Sequence, residues 1–461
     1  MMQRRALGLL AALLANASTA AAQDRTAELE GRLRLLEAAV ADLRAELAAA
    51  RAAPAAGAPS AATAQAGDAA ATVPAAERME AIETRLAAEE KREGFRVGRS
   101  TVKVGGFVKL WSAWSAYDDG APPAGALVRD FYLPQQIPVG GARSTQFTAH
   151  AKQTRLWLSA SAPVGGTPAT AYVEGDFQTA PGTQGTARTT NGYNFALRRA
   201  TISWRGLTAG QDWSTFQNVS VLPETTDFIG PTEGTVFVRQ PLVRWTQPLG
   251  GGVSLALAVE NPITASITSS SAAPKESDDA RFPDLVIKLA GKLGPAELSL
   301  AALAHDVSVT DAAGGDSAFG WGLSLAGRLP FGAGNRHDLR VMLTGGEGIG
   351  HYVGLNFAPD GVFAGGRVEP VGVVAGFAAL KLGWSPRLRS TLMGGFQQVD
   401  YPALALPATA NQSSWSVAGN LFATPLPGLD LGIELRHGER KVNSGARGSL
   451  DRVEFVTKYS F

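Results

Sequence analysis

The chain has 461 residues with 42 Lys and Arg against 41 Asp and Glu, so it carries almost no net charge. This balance argues against a nucleic-acid-binding protein, which would show a strongly basic surface. The absence of Cys excludes disulfide frameworks and thiolate metal sites.

The N-terminal 22 residues have the composition of a secretory signal peptide. Arg4 and Arg5 precede an apolar run over residues 6–15, and small residues at 20–22 fit a cleavage site before Gln23. A membrane anchor is the alternative, but this run is too short to cross hydrocarbon. Residues 1–22 are therefore predicted to be a signal peptide.

Residues 23–51 carry the spacing of a coiled coil. Apolar residues recur at alternating intervals of four and three, which is the a/d pattern of a heptad repeat; they are Leu29, Leu33, Leu36, Val40, Leu43 and Leu47. One amphipathic helix packed on its own domain is the alternative, and Leu at both core positions does not settle the number of strands. The Ala/Pro-rich segment 52–75 is typical of a linker, and a short helix is predicted over 76–96.

From about Val97 the apolar period changes to two, which indicates β-strands. Sixteen candidate strands occupy residues 97–461, and short Gly/Pro turns alternate with long polar loops. This layout is typical of an outer-membrane barrel, whereas a soluble β-sandwich gives no reason for the alternation. We predict an all-β transmembrane barrel of about 16 antiparallel strands, preceded by the helical coiled-coil segment. The long loops are expected at 118–146, 179–195, 214–235, 262–283, 307–318, 348–370, 401–412 and 441–450.

The last strand indicates which face meets lipid. In DRVEFVTKYSF, apolar, aromatic or Thr residues occupy every second position up to Phe461, and Arg452, Glu454 and Lys458 fall on the other face. A basic residue on the lipid face at the midplane costs about 2–4 kcal/mol, so the charged face must point to the lumen. The terminal Phe resembles the signal that the barrel-assembly machinery reads. Outward aromatic residues beside short turns are expected at Trp204, Trp245 and Trp384.

The same alternation assigns other charged side chains to the lumen. The predicted lumen positions are Arg155, Glu174, Asp176, Arg199, Arg244 and Lys288. Arg239 falls on the apolar parity near a mouth of the barrel, where Pro241 suggests a bulge. A solvated charge without a selective role is the alternative for each residue.

Four motifs of the barrel region point to a family. They are GGFVKL at the start of the barrel, YVEGDF in the third strand, LRRATISW in the fourth, and GQDWSTF…LPETTDFIGP…VFVRQPLVRW around the third loop. Together they resemble the DcaP-like porins of Gram-negative bacteria, densely over residues 103–262 and diffusely afterwards. The resemblance implies an outer-membrane homotrimer with a periplasmic coiled coil and a channel for small anionic solutes such as dicarboxylates. By position it implies a basic lining of Lys109, Arg155, Arg199, Arg239 and Arg244.

The segment 214–235 follows the fifth predicted strand and is therefore the third long loop. In sixteen-stranded porins this loop commonly folds into the barrel and narrows it, and the lining charges then help to set selectivity. Glu224 and Asp227 belong to the loop motif. They are expected either to face the basic strands across a narrowed pore or to act as a structural cap bonded to loop amides or strand arginines.

No residue pattern indicates an enzyme, a cofactor or a metal site. The five His include no i, i+4 pair and no H-E-x-x-H motif, and no G-x-S-x-G motif occurs. We therefore predict a non-enzymatic channel for passive, selective diffusion of small anionic solutes. A barrel hydrolase is one alternative. A structural anchor that tethers the barrel to peptidoglycan or a periplasmic partner is the other, and it would give no stable conductance steps.

Overall fold

The computed structural model describes residues 94–178, 192–311 and 314–461. The predicted signal peptide, coiled coil and linker lie outside these residues, as does almost all of the helix predicted over 76–96. Positions 95 and 96 of that helix belong instead to a short strand that pairs with residues 100–102. Within the described residues, no helix is long and apolar enough to cross a membrane.

The described chain consists of β-strands, loops and single-turn 3-10 helices. The strands are β1 (Phe95–Val97), β2 (Ser100–Tyr117), β3 (Ser144–His150), β4 (Arg155–Val164), β5 (Thr167–Asp176), β6 (Ala196–Trp204), β7 (Leu207–Trp213), β8 (Arg239–Gly250), β9 (Val253–Glu260), β10 (Thr264–Thr268), β11 (Lys275–Ser277), β12 (Asp284–Leu293), β13 (Ala296–Asp311), β14 (Gly314–Phe331), β15 (His337–Glu347), β16 (Gly361–Ala364), β17 (Arg367–Pro370), β18 (Gly372–Ser385), β19 (Leu388–Asp400), β20 (Asn411–Leu426), β21 (Leu429–Val442) and β22 (Arg447–Ser460). The 3-10 helices are Leu127–Arg129, Pro134–Gln136, Val219–Val221, Thr232–Gly234, Ala333–Asn335 and Gly350–Tyr352.

The long strands close into one antiparallel barrel of sixteen strands, as predicted. β3 and β4 are two halves of one barrel strand, since β3 pairs with the second half of β2 and β4 with its first half. The seam joins β2 to β22, from the Phe107–Ser460 pair to the Tyr117–Leu450 pair. This closure pairs the backbone groups that lipid would otherwise leave unsatisfied.

Tight turns join neighbouring strands at one end of the barrel. Gly165–Gly166 and Arg205–Gly206 both have positive φ at their two central residues, at 57° and 80° and at 48° and 83°. Positive φ at both positions is the type I′ geometry that matches the twist of two antiparallel strands. We call this end the short-turn end, and the opposite end the long-loop end.

The long-loop end carries a second small sheet built from two loops. β10 and β11 belong to the loop after β9, β16 and β17 to the loop after β15, and the strand order is β11-β10-β16-β17. Val307 and Val309 of β13 pack against Phe363 and Val368 of this sheet. β13 extends to Asp311, and β14 begins at Gly314. The prediction of a loop over 307–318 is therefore wrong for most of these residues. β21 and β22 likewise reach into the loop predicted over 441–450.

The outer face of the barrel is a continuous apolar surface. Leu289, Leu300, Leu325 and Leu343 are directly paired across β12, β13, β14 and β15. Each of these side chains is about half exposed. The aromatic residues predicted beside the short turns also lie exposed on this face; they are Trp204, Trp245, Trp384 and Phe461. The alternation of the sequence thus separates an apolar exterior from a polar interior.

We expect Leu325→Arg to lower the free energy of unfolding by about 2–4 kcal/mol, because it places a charge near mid-height of the lipid-facing row. Leu293→Arg, beside a short turn, is the matched control and should cost about 0–1 kcal/mol. Denaturant titration of the protein folded into liposomes measures both values. Equal costs at the two positions would contradict the assignment of the outer face.

Candidate functional site

The third long loop, residues 214–238, lies against the inner faces of strands far from the point where it leaves the wall. It begins after β7, yet the Thr226 backbone N–H donates to Glu434 of β21 at 3.1 Å. The Arg436 guanidinium, also on β21, donates to the Gly230 carbonyl at 2.9 Å. The loop therefore runs inside the barrel and contacts the later strands.

Glu224 fixes the middle of this loop to β19. Its carboxylate accepts two hydrogen bonds from Arg389, each of 2.7 Å. Lys381 approaches the same carboxylate at 3.9 Å, and the Asn420 side-chain amide donates to the Glu224 carbonyl at 2.8 Å. A two-point guanidinium–carboxylate pair sets orientation as well as distance. The Glu224 carboxylate is thus bonded to side chains of the barrel strands, and one quarter of its side chain is exposed.

Asp227 is buried where the loop meets β2, and Lys109 contacts the same residue. Asp227 Oδ2 accepts the Tyr132 backbone N–H at 3.1 Å, and the Asp227 carbonyl accepts from Lys109 Nζ at 3.0 Å. Burial and then the nearby Glu454 carboxylate raise the pKa of Asp227 to about 7, although Arg436 acts in the opposite direction. Both Lys109 and Asp227 are less than a tenth exposed, and they hold the loop on the wall.

A buried charge network on β21 and β22 lies beneath this contact. Arg436 approaches Glu434 at 2.6 Å and Glu454 at 3.7 Å. Glu454 also accepts hydrogen bonds from Trp111 Nε1 at 3.1 Å and from the Thr226 hydroxyl at 2.8 Å. The alternation had placed Glu454 on the lumen face, but nothing local in the sequence indicated that its partners are loop residues.

Small residues let the loop approach the wall closely. A Cβ on Gly234 would lie 2.2 Å from the Gly376 carbonyl oxygen of β18. A Cβ on Gly395 of β19 would lie 2.8 Å from the Pro231 side chain. Neither gap admits another heavy atom, so a larger residue at either position would push the loop away from its anchors.

The wall formed by β4, β5 and β6 carries a cluster of arginines and carboxylates. Arg155 contacts Glu174 at 3.1 Å and Asp176 at 2.7 Å. Arg198 contacts the other oxygen of Asp176 at 2.6 Å. Glu174 pairs with Arg199 and Gly175 with Leu197, so Arg198 sits in a β-bulge. Simple alternation excludes Arg198 from the lumen face, and the bulge is the reason sequence reasoning missed it.

The cluster continues onto β7 and β8 through Asp212. Arg199 contacts Asp212 Oδ1 at 2.5 Å, and Arg244 contacts Asp212 Oδ2 at 2.7 Å. Asp212 was also missed, although it directly precedes Trp213 in GQDW. We call the whole set the arginine wall; it comprises Arg155, Arg198, Arg199 and Arg244 with Glu174, Asp176 and Asp212. Its arginine side chains are 11–28 % exposed.

Arg239 stands apart from these ion pairs. Its backbone pairs with Trp213, on the apolar parity that the sequence indicated. Its guanidinium lies 3.7 Å from the centre of the Trp213 ring and 5.3 Å from that of Phe237. The aromatic faces attract the cation by their electrostatic quadrupole. Of the predicted basic residues, Arg155, Arg199 and Arg244 are therefore brought together, whereas Lys109 and Arg239 have other contacts.

Three residues with metal-binding side chains also meet, contrary to the expectation from sequence spacing. One donor atom each of His305, His351 and Asp360 lies within 4.8 Å of the other two. His305 is on β13, and the other two residues are on the loop after β15. The tertiary structure alone brings them together, because 46 residues separate the two imidazoles in the chain.

Comparisons with known proteins agree with this architecture. A family model described as a porin subfamily matches residues 134–318. The outer membrane channel DcaP of Acinetobacter baumannii is 25 % identical, with a TM-score of 0.65 over 80 % of this chain and 99 % of its own. An anion-selective porin from Comamonas acidovorans is 12 % identical, with a TM-score of 0.49 over 78 % of this chain and 100 % of its own. The likeness of fold rests on the first of these structures. A comparison with curated proteins finds no match.

We expect Asp227→Asn to change how stability depends on pH. The folded-state pKa of Asp227, about 7, lies above its ordinary value of 3.8, so the folded protein binds more protons. This carboxyl therefore makes the barrel less stable as pH rises from about 4 to about 7. The variant lacks that loss, so its free energy of unfolding relative to wild type should rise by on the order of 1–4 kcal/mol across this window.

Denaturant titrations at several pH values between about 4 and 8 measure this difference. Asp278→Asn is the matched control, since Asp278 is exposed on the loop between β9 and β12. A pH profile of Asp227→Asn that parallels the wild type would show that Asp227 does not titrate in this range.

Proposed function

We propose that this chain is a DcaP-like porin and forms an outer-membrane channel for passive, selective diffusion of small anionic solutes, with dicarboxylates as the expected class. The observation that carries this proposal is the composition of the arginine wall. Four guanidinium groups share three carboxylates there, and all four remain partly exposed. A lining with a surplus of positive charge attracts anions and repels cations.

The contacts of the third loop support a constriction opposite the arginine wall. Glu224 is bonded to Arg389, and Asp227 is buried against β2 and β21. The Glu224 charge is therefore paired with a cation of its own wall, and the Asp227 carboxyl lies beside Arg436. The loop carboxylates therefore do not neutralise the surplus positive charge of the arginine wall. In this proposal Glu224 and Asp227 position the loop, while Arg155, Arg199 and Arg244 act on the solute.

We infer the orientation and assembly from the same family. The long-loop end faces the exterior, and the short-turn end and the predicted coiled coil face the periplasm. The functional unit is a homotrimer with one channel in each protomer, surrounded by outer-membrane lipid. Phe461, whose backbone exchanges two hydrogen bonds of 3.1 Å with Gly106 at the seam, is the residue that the barrel-assembly machinery reads.

Reversal potentials in planar bilayers under a KCl gradient test the selectivity. The wild type should prefer Cl⁻, and Arg155→Ala combined with Arg199→Ala should shift selectivity toward K⁺, because Glu174 loses both of its arginine partners and Asp212 keeps only Arg244. Arg336→Ala combined with Arg387→Ala is the matched control. It removes the same charge from exposed positions in short turns and should leave the reversal potential unchanged.

Two results would contradict the proposal. Cation preference in the wild type, or equal reversal potentials for the two double variants, would remove the anion-attracting role of the arginine wall. A complete lack of conductance steps would instead favour the alternative, a structural anchor that joins the barrel to peptidoglycan or a periplasmic partner.

Deletion of residues 23–93 tests the role of the predicted coiled coil. We expect the deletion to convert trimers into smaller species, because the a/d seam would no longer join protomers. Light scattering coupled to size-exclusion chromatography in detergent measures the mass. Deletion of residues 52–75 alone is the control and should leave trimers intact. Trimers that persist without residues 23–93 would show that the barrels hold one another together.

A further inference from the structure

The group formed by His305, His351 and Asp360 has the properties of an ion-binding site. His305 and Asp360 are fully buried at their side chains, and His351 is 9 % exposed. One donor atom of each residue lies within 4.8 Å of the others. In a tetrahedral zinc site the ligand atoms are about 3.4 Å apart, given metal–ligand distances of about 2.1 Å. The three donor atoms would therefore have to approach one another by roughly an ångström to reach that spacing.

Each imidazole has one nitrogen oriented by a carboxylate and one nitrogen without a partner. His305 Nδ1 lies 2.6 Å from Asp284 Oδ1, and His351 Nδ1 lies 2.9 Å from Asp360 Oδ2. The Nε2 atoms of both His are buried and have no hydrogen-bond partner. For His305, Asp284 is thus the usual support of a histidine that binds a metal through its other nitrogen. Asp360 is instead a candidate ligand itself, so an ion held between Asp360 and His351 Nδ1 would replace their hydrogen bond.

The charge of the region calls for a cation. Asp284 and Asp360 are both buried, and their contacts are to the two imidazoles, the Tyr352 hydroxyl and backbone N–H groups. Within the described residues, neither carboxylate has a Lys or Arg side chain at ion-pair distance. Two buried carboxylates without such a partner are costly. A divalent cation would neutralise both charges while the imidazoles stay neutral.

We propose that His305, His351 and Asp360 form a binding site for a divalent transition-metal ion of the zinc type. Imidazole nitrogen suits zinc, nickel and copper, whereas calcium and magnesium prefer oxygen ligands. Three protein ligands leave one position open. His351 also lines a cavity of about 380 Å³, through which an ion and a water molecule would reach this ligand.

Such an ion would fix the loop after β15 directly to the barrel wall, and through that loop it would also hold the third loop. His305 belongs to β13, whereas His351 and Asp360 belong to the loop after β15. The next residues of that loop contact the end of the third loop, because Val353 forms a β-bridge with Val236 and the Tyr352 carbonyl accepts the Phe237 N–H at 2.9 Å. Binding of the ion would therefore stabilise the third loop as well as the loop after β15.

Isothermal titration of the untagged, full-length protein with ZnCl₂ tests this inference. The protein is held in detergent, treated with EDTA and dialysed before the titration. We expect one ion per chain and a higher unfolding temperature with zinc, since a ligand of the native state stabilises it by mass action. Absence of saturable zinc binding by the wild type would overturn the proposal.

Substitutions locate the site. His305→Gln and His351→Gln should each weaken zinc binding by roughly 100-fold or more, because each removes an imidazole ligand. His437→Gln is the matched control, since His437 also pairs with a carboxylate, Asp451, at 2.7 Å, but on an exposed surface. Unchanged affinity in His305→Gln, or an equal loss in His437→Gln, would overturn the assignment.

A spectroscopic measurement covers the case in which a variant does not fold. Co²⁺ added to the wild-type protein should give the intense visible absorption of tetrahedral cobalt, and ZnCl₂ should displace it. An octahedral spectrum like that of free Co²⁺ would contradict the proposed ligand set. None of these readouts depends on conductance, so they separate this inference from the proposed channel function.

Discussion

A polar backbone group in lipid has no water to bind, and the architecture of this protein follows from that constraint. The strands close because β2 pairs with β22, and apolar residues such as Leu300 and Leu325 occupy the outer face. Charged residues on the strands must then point inward. The lumen therefore receives a high density of ionisable side chains, and the remainder of the structure arranges them.

The inner charges divide into two groups with different surroundings. On the later strands the third loop covers them, and buried groups such as Glu434 and Arg436 bond to one another and to loop backbone. Burial of charge is tolerated there because each carboxylate has a cation or several donors. On the earlier strands Arg155 and Arg199 stay partly exposed. The third loop thus covers the charges of the later strands, whereas the arginine wall stays partly exposed.

The second small sheet at the long-loop end also joins distant parts of the chain. β10 and β16 come from different loops and pair in parallel, and the valines of β13 pack beneath them. His305 and His351 meet at this junction. The loop after β15 also contacts the third loop at Val236 and therefore limits how far the third loop can move.

The sequence by itself determined the barrel, its sixteen strands and the facing of most residues, because lipid and lumen impose opposite chemistry on alternate positions. It also indicated Arg155, Arg199 and Arg244, which follow that alternation. Only the tertiary structure decided that Glu224 bonds Arg389, 165 residues away, and that Asp227 meets Lys109, 118 residues away. It likewise decided the bulge at Arg198 and the meeting of His305 with His351. Alternation records which face a residue occupies, but it holds no information on which distant residue lies across that face.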